Sequence, residues 1–203
     1  VPFFVLAGNL MNETGITSRL IKFCNLATGH MRGGLAQVSV LLSCLMGGIS
    51  GSATADAAME SRILGPDMEK KGYSKGFTAA ILAMGGLITA TIPPSLGLIL
   101  YGVTGEVSIG RLFLAGIVPG ILMTIVLMFA VSRISKKRDY APEREKIATL
   151  PELLKGLIDN IWALMFPVIL IVGIRFGVFT PSEAGAFAVV YALFVGMFVY
   201  REL

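Results

Sequence analysis

Long apolar runs, each bounded or interrupted by a short polar stretch, set the pattern of this chain. Residues 1 to about 12, beginning "VPFFVLAGNL", are apolar from the first position, which predicts the end of a span that starts upstream. In "GITSRLIKFCNLATGHMRGG", Ile16, Leu20, Phe23 and Ala27 recur at helical spacing while Arg19, Lys22 and Asn25 fall elsewhere. That pattern predicts an amphipathic, interfacial helix. Two apolar arms follow, about 35 to 49 and 53 to 64, with a glycine- and hydroxyl-rich tip between them in "GGISGSATADAAMESR". About 15 residues at about 1.5 Å each reach about 22 Å, short of a hydrocarbon core near 30 Å, so neither arm spans alone. Two short arms on a glycine tip predict a re-entrant hairpin; the competing reading is one long kinked span.

The rest of the chain reads as spans. A run from about 76 to 103 is broken at "LITATIPPSLG", where Pro93 and Pro94 each lack an amide donor. Residues about 111 to 132 predict a full span kinked at Pro119, and about 158 to 178 and 183 to 200 predict two more, joined by "FTPSEAG". A second amphipathic stretch, "LPELLKGLIDNIW", echoes the first. The predicted organisation is a truncated span and interfacial arm helix over 1–33, a re-entrant hairpin over 34–72 and a broken helix with its following span over 73–132. A basic linker and second arm helix take 133–160, and two spans take 161–203.

Composition agrees with a membrane setting. The chain is 55% hydrophobic and 15% charged, with a mean hydropathy of +0.78, so the fold class expected is an all-α integral membrane protein. The net charge of +4 does not indicate nucleic acid, because the basic residues sit in loops and form no stripe. Lys70, Lys71 and Lys75 at the hairpin base and Arg133, Lys136, Lys137, Arg138, Arg144 and Lys146 in the linker mark cytoplasmic connectors, whereas "VTGEVSIG" and "FTPSEAG" carry no basic residue. Cys24 and Cys44 lack the spacing of a zinc site or a disulfide framework and read as packing residues. His30, lone and next to Arg32, reads as interfacial.

Polar residues at bilayer depth carry the chemistry. Irregular backbone is tolerated there only where protein buries it or a wet cavity meets it, so the hairpin tip implies a site. If the tip meets the Pro93-Pro94 break, carbonyls and the hydroxyls of Ser50, Ser52, Thr54, Thr89, Thr91 and Ser95 form neutral oxygen ligands suited to Na⁺. The amino ends of the second arm and of the helix after Pro94 then offer positive dipoles to an anion. The alternative is that these small residues only permit close helix packing. Asp56 is placed in the first turn of the second arm, capped by Ser52 or Thr54, either on a cation path or at a solvated cap. Glu60 and Arg62 are expected to snorkel toward the interface, and Arg175 to anchor the outer end of its span. The glycine-rich segment lacks the Lys-Ser/Thr of a phosphate loop, and no nucleophile, base and orienting acid converge. No enzyme is expected.

The ordered set "MRGGLAQVSVLLSCLMGGISGSATADAAM", "GPDMEKKGYSKGF", "IPPSLGLILYG", "VSIGRLFLAGIVPGILM" and "GVFTPSEAG" resembles the large membrane subunit of tripartite ATP-independent periplasmic (TRAP) transporters, from about residue 2 onward. The resemblance implies part of an inverted-repeat, elevator-type carrier in a bacterial or archaeal cytoplasmic membrane. It implies Na⁺ as coupling ion and no other cofactor, and as partners the lipid bilayer, a small membrane subunit and a periplasmic solute-binding protein. The cargo implied is a small organic acid such as a C4-dicarboxylate, a sugar acid or sialic acid. Carried onto this chain, the sodium site would draw on Ser50, Gly51, Ser52, Gly86, Thr89 and Pro93. The substrate side would draw on Ser52, Ala53, Thr54, Asp56, Pro94 and Ser95. Some relatives have a serine where this chain has Ala53, so backbone ligation is expected there. Three functions stand against one another: a solute transporter (or a related sodium-dicarboxylate symporter without a binding protein), a passive channel, and a lipid-acting enzyme.

Overall fold

The computed structural model describes Phe3, Leu6, Ala7, Leu10 and residues 15–200, the side chains of Arg175, Pro181 and Ser182 apart. Most of the span expected over residues 1 to 12 and the side chain of the anchor expected at Arg175 therefore lie outside the described residues. What is described is helical: α1 (Ile16–Thr28), α2 (Gly34–Gly47), α3 (Ala53–Ile63), α4 (Gly65–Lys70), α5 (Lys75–Thr91), α6 (Leu96–Thr104), α7 (Ile109–Lys137), α8 (Leu150–Asp159), α9 (Ile161–Arg175) and α10 (Pro181–Phe194). A π-helical turn, Val195–Tyr200, extends α10.

The long helix α7 has 29 residues, so it measures about 43 Å and can cross a bilayer. Its apolar outer face, with Val118, Leu122, Ile125 and Phe129, is exposed, as lipid contact requires. Pro119 sits inside the helix without ending it. The segment Glu183–Tyr200 is the second helix long and apolar enough to cross, and α5 with α6 forms a pair bent by 46° at the proline break. The amphipathic stretch "LPELLKGLIDNIW" forms α8 and the span expected over 158 to 178 starts as α9, the two meeting at a bend of 64°. Asn160 makes that corner: its side-chain amide donates to the Gly156 carbonyl at 2.8 Å, replacing the ladder bond that the bend removes.

The helices α2 and α3 are the arms of a hairpin whose two feet lie together. Both feet meet the same residue, Tyr140, which follows α7 at its basic end. The Gly33 amide donates to the Tyr140 carbonyl at 3.2 Å, and the Ser74 amide donates to the Tyr140 hydroxyl at 3.1 Å. Tyr73 stacks on Tyr140 with centroids 4.3 Å apart, Arg138 donates to Ser74 Oγ at 3.1 Å, and Lys71 pairs with Glu143. The basic linker is thus folded against the hairpin base. With arms of 14 and 11 residues, the hairpin is about 17–21 Å long.

The core lies where α2 packs among α1, α5 and α7, and Leu42, Met46, Ile88 and Phe113 are fully buried there. The two amphipathic helices α1 and α8 pack on each other. Gly156 makes this possible, since a Cβ there would lie 3.0 Å from Leu26 and 3.3 Å from Phe23.

Candidate functional site

The tip of the hairpin and the Pro93-Pro94 break are in contact. At the tip Gly51 adopts φ +60, a left-handed conformation that side chains resist. A Cβ at Gly51 would lie 2.0 Å from the Pro94 carbonyl oxygen. Only glycine lets the two irregular segments approach so closely. Their backbones then join, with the Leu96 amide donating to the Gly51 carbonyl at 3.2 Å. A Cβ at Gly86 would meet the Ala53 carbonyl oxygen at 3.0 Å, and one at Gly116 would meet the Thr91 carbonyl oxygen at 2.5 Å. Bare backbone on α5 and α7 therefore seats the tip and the break.

The two following helices begin at this junction. Ser52 caps α3 by accepting from the Ala55 amide at 3.4 Å, and Ser95 caps α6 by accepting from the Leu98 amide at 3.4 Å. Two helix amino ends therefore open side by side, one from the hairpin and one from the break.

Four of the hydroxyls place their hydrogen on a protein partner. Thr89 Oγ1 donates to the Ser43 carbonyl at 3.0 Å, Ser95 Oγ to the Ala90 carbonyl at 2.6 Å, Ser50 Oγ to Asp56 Oδ2 at 2.6 Å, and Thr91 Oγ1 to the Leu87 carbonyl at 2.8 Å. A hydroxyl that donates elsewhere still presents oxygen lone pairs, the form a cation ligand takes. The ladder adds carbonyls, because the usual donor to the Thr89 carbonyl would be the amide of Pro93, which has no hydrogen. Ser50, Gly51, Thr89, Pro93, Pro94 and Ser95 are buried and assembled; Ser52 and Ala53 are half-buried at the rim; Thr54 is exposed.

Asp56 is 1% exposed and receives the Ser50 hydroxyl on one oxygen, while its Oδ1 has no hydrogen-bond partner. Neither a solvated cap nor a bond from Thr54 describes it. Glu60 departs further from expectation. It does not snorkel: it is 1% exposed and bridges to α2, with Ser39 Oγ and Ser43 Oγ each 2.7 Å from one of its oxygens. Two hydroxyls one turn apart on the facing helix give it hydrogen bonds that a path to the interface would not. Arg62, by contrast, is exposed. Ser39 and Ser43 went unnoticed in the sequence as site-lining residues, although hydroxyls at an i, i+4 spacing opposite acids at an i, i+4 spacing were a visible signal.

Comparison with known proteins agrees with this architecture. The sequence profile of the tripartite ATP-independent periplasmic transporter, DctM component, covers residues 1–203. The 2,3-diketo-L-gulonate TRAP transporter large permease protein YiaN of Escherichia coli (strain K12) is 43% identical over 207 residues, taking in all of this chain and 47% of that protein. The sialic acid TRAP transporter large permease protein SiaM of Vibrio cholerae is 43% identical over 203 residues, again with all of this chain and 47% of the relative. The C4-dicarboxylate TRAP transporter large permease protein DctM of Pseudomonas aeruginosa is 40% identical over 206 residues, with the same coverage. The chain spans about half the length of the curated relatives it matches. With bent helix pairs, a helical hairpin and a profile match along its whole length, this chain belongs to the DctM family of tripartite ATP-independent periplasmic transporter permeases.

Proposed function

We propose that the protein containing this chain is a sodium-coupled importer of small organic acid anions. It would act in the cytoplasmic membrane with a small membrane subunit and with a periplasmic binding protein that delivers the cargo. The observation that carries this reading is the junction of Gly51 with the Pro94–Leu96 segment. Neutral carbonyl and hydroxyl oxygens surround it, and two helix amino ends open beside it. Neutral oxygens in a closed setting suit a monovalent cation, and converging amino ends suit a carboxylate. Ser50, Gly51, Ser52, Gly86, Thr89 and Pro93 would frame the Na⁺, through backbone oxygens above all. Ser52, Ala53, Thr54, Pro94 and Ser95 would face the cargo. Asp56, bound to Ser50 behind the tip, would support the cation side rather than touch the anion. The three relatives named above carry different organic acids in their names, which supports the cargo class and leaves its member to the other half of the cavity.

The test is uptake into proteoliposomes by the full-length permease with its small subunit and binding protein. Concentrative uptake that needs an inward Na⁺ gradient is the expected result. Flux independent of the gradient would point to a channel and overturn the proposal.

A further inference from the structure

The hydrogen bonds between the hairpin arms contain one hydrogen too few. Ser43 Oγ lies 2.7 Å from Glu60 Oε1 and 3.0 Å from the Ser39 carbonyl oxygen. Both partners are acceptors when Glu60 is ionised, yet a serine hydroxyl has a single hydrogen. Ser39 cannot supply the other, since its hydroxyl faces Glu60 Oε2 at 2.7 Å. Thr89 cannot either, since it donates to the Ser43 carbonyl. One added proton on Oε1 closes the chain: Glu60 donates to Ser43 Oγ, and Ser43 donates to the Ser39 carbonyl, the back-bond that a helical serine ordinarily makes.

The surroundings give the ionised form no compensating charge. Among the described residues no salt bridge reaches Asp56 or Glu60. From α1, Cys24 acts on Glu60 electrostatically, and α2 adds the half-buried Cys44. The only charged side chain of α5 is the exposed Lys75, α4 carries the exposed Asp67, Glu69 and Lys70, and α3 itself adds Asp56 and the exposed Arg62. Between Arg111 and Arg133, α7 has no titratable residue. Asp56, one turn away with Oδ1 buried and unpartnered, worsens the field with a like charge. Two bare carboxylates in this setting are costly, and burial favours whatever cation neutralises them. Among the described residues no group of three or more His, Cys, Asp or Glu side chains is placed to hold a metal ion. A proton needs only Glu60 and a hydrogen-bond partner.

We propose that Glu60 is a proton-binding site of the hairpin, separate from the cation frame at the tip, and that its proton, held between Glu60 Oε1 and Ser43 Oγ, latches the two arms together. Losing the proton to water leaves one hydrogen for two acceptors and sets a second negative charge beside Asp56, so the latch opens along α3. The test reads protonation and requires no transport: infrared difference spectra of the full-length permease with its small subunit at neutral pH, in H₂O and D₂O. Wild-type protein should show a deuteration-sensitive protonated-carboxyl band that vanishes in Glu60→Gln and survives in Asp56→Asn. The glutamine keeps the hydrogen count, its amide donating where the acid did, so this variant should fold. Ser43→Ala provides a second readout on intact Glu60 and should displace the band. Absence of the band in wild-type protein, its loss in Asp56→Asn alone, or an unmoved band in Ser43→Ala would each overturn the proposal.

Discussion

Along α2 no residue is exposed, from Gly34 through Gly47, while α3 exposes Thr54, Ala55, Ala58, Ser61, Arg62 and Ile63 and buries only Asp56 and Glu60. The two arms of one hairpin thus bury opposite kinds of residue. The first arm is enclosed by α1, α5 and α7, and its apolar side chains gain from burial on every side. The second lies against α2 and α5 and shows its small residues outward. Its acids turn inward because Ser39 and Ser43 bond to the two oxygens of Glu60 and Ser50 bonds to one oxygen of Asp56. Hydropathy alone would have placed them the other way round. In this setting hydrogen-bond partners decide which polar groups are buried, since an unpaired one costs several kcal/mol.

Substitutions along the two arms sharpen this contrast, and each is read as the thermal midpoint of the full-length permease. The largest effect is expected where the arms join. Gly51→Val combines a left-handed φ with a Cβ only 2.0 Å from the Pro94 carbonyl oxygen, so a loss of about 3–5 kcal/mol is expected; a midpoint within a degree or two of wild type would show that the tip does not seat on the break. Leu42→Ala in the enclosed arm empties a fully buried site and should cost about 2–5 kcal/mol. Little change there would mean that α2 is not surrounded as described.

Smaller effects are expected where hydrogen bonds rather than volume are lost. Ser39→Ala removes one donor to Glu60 and should cost about 1–3 kcal/mol, the penalty for leaving a buried acceptor short of a partner. Made in a Glu60→Gln background, whose amide oxygen accepts from Ser39 as Oε2 does, it should cost a similar amount; no loss in either background would refute the inward geometry of Glu60. Ser52→Ala deletes the α3 cap and should cost about 1 kcal/mol, with a shift in the Na⁺ concentration for half-maximal uptake as the more informative reading. Ala58→Ser, on the exposed face of α3, should change stability by less than about 0.5 kcal/mol. A large loss at Ala58 would break the comparison outright.

The elements were readable along the chain wherever a local rule governs them. Pro93 and Pro94 ended α5, Ser52 capped the helix after the hairpin tip, and the arms were too short to span. The proline of α7 was visible too, although the helix continues through it. Less legible was how the second arm helix meets the next span: at Asn160 an amide side chain takes the Gly156 carbonyl and the two helices bend by 64°. The candidate site divides in the same way. Hydroxyls, glycines and prolines at the tip and the break could be named from their types, but their assembly rests on the absence of a Cβ at Gly51 and Gly86 in the folded chain.

By itself the sequence determined that this is a helical membrane protein, where most of its helices start and stop, and which family it joins. Those properties depend on proline's missing amide, on caps within a few residues and on apolar length, all of which are local along the chain. Only the tertiary structure decided that Glu60 faces Ser39 and Ser43 across 21 and 17 positions and that both hairpin feet rest on Tyr140. It alone set the Gly51 carbonyl against the Leu96 amide. Each depends on a partner far off in the chain, and a side chain's burial follows from the partner it finds and from nothing written at its own position.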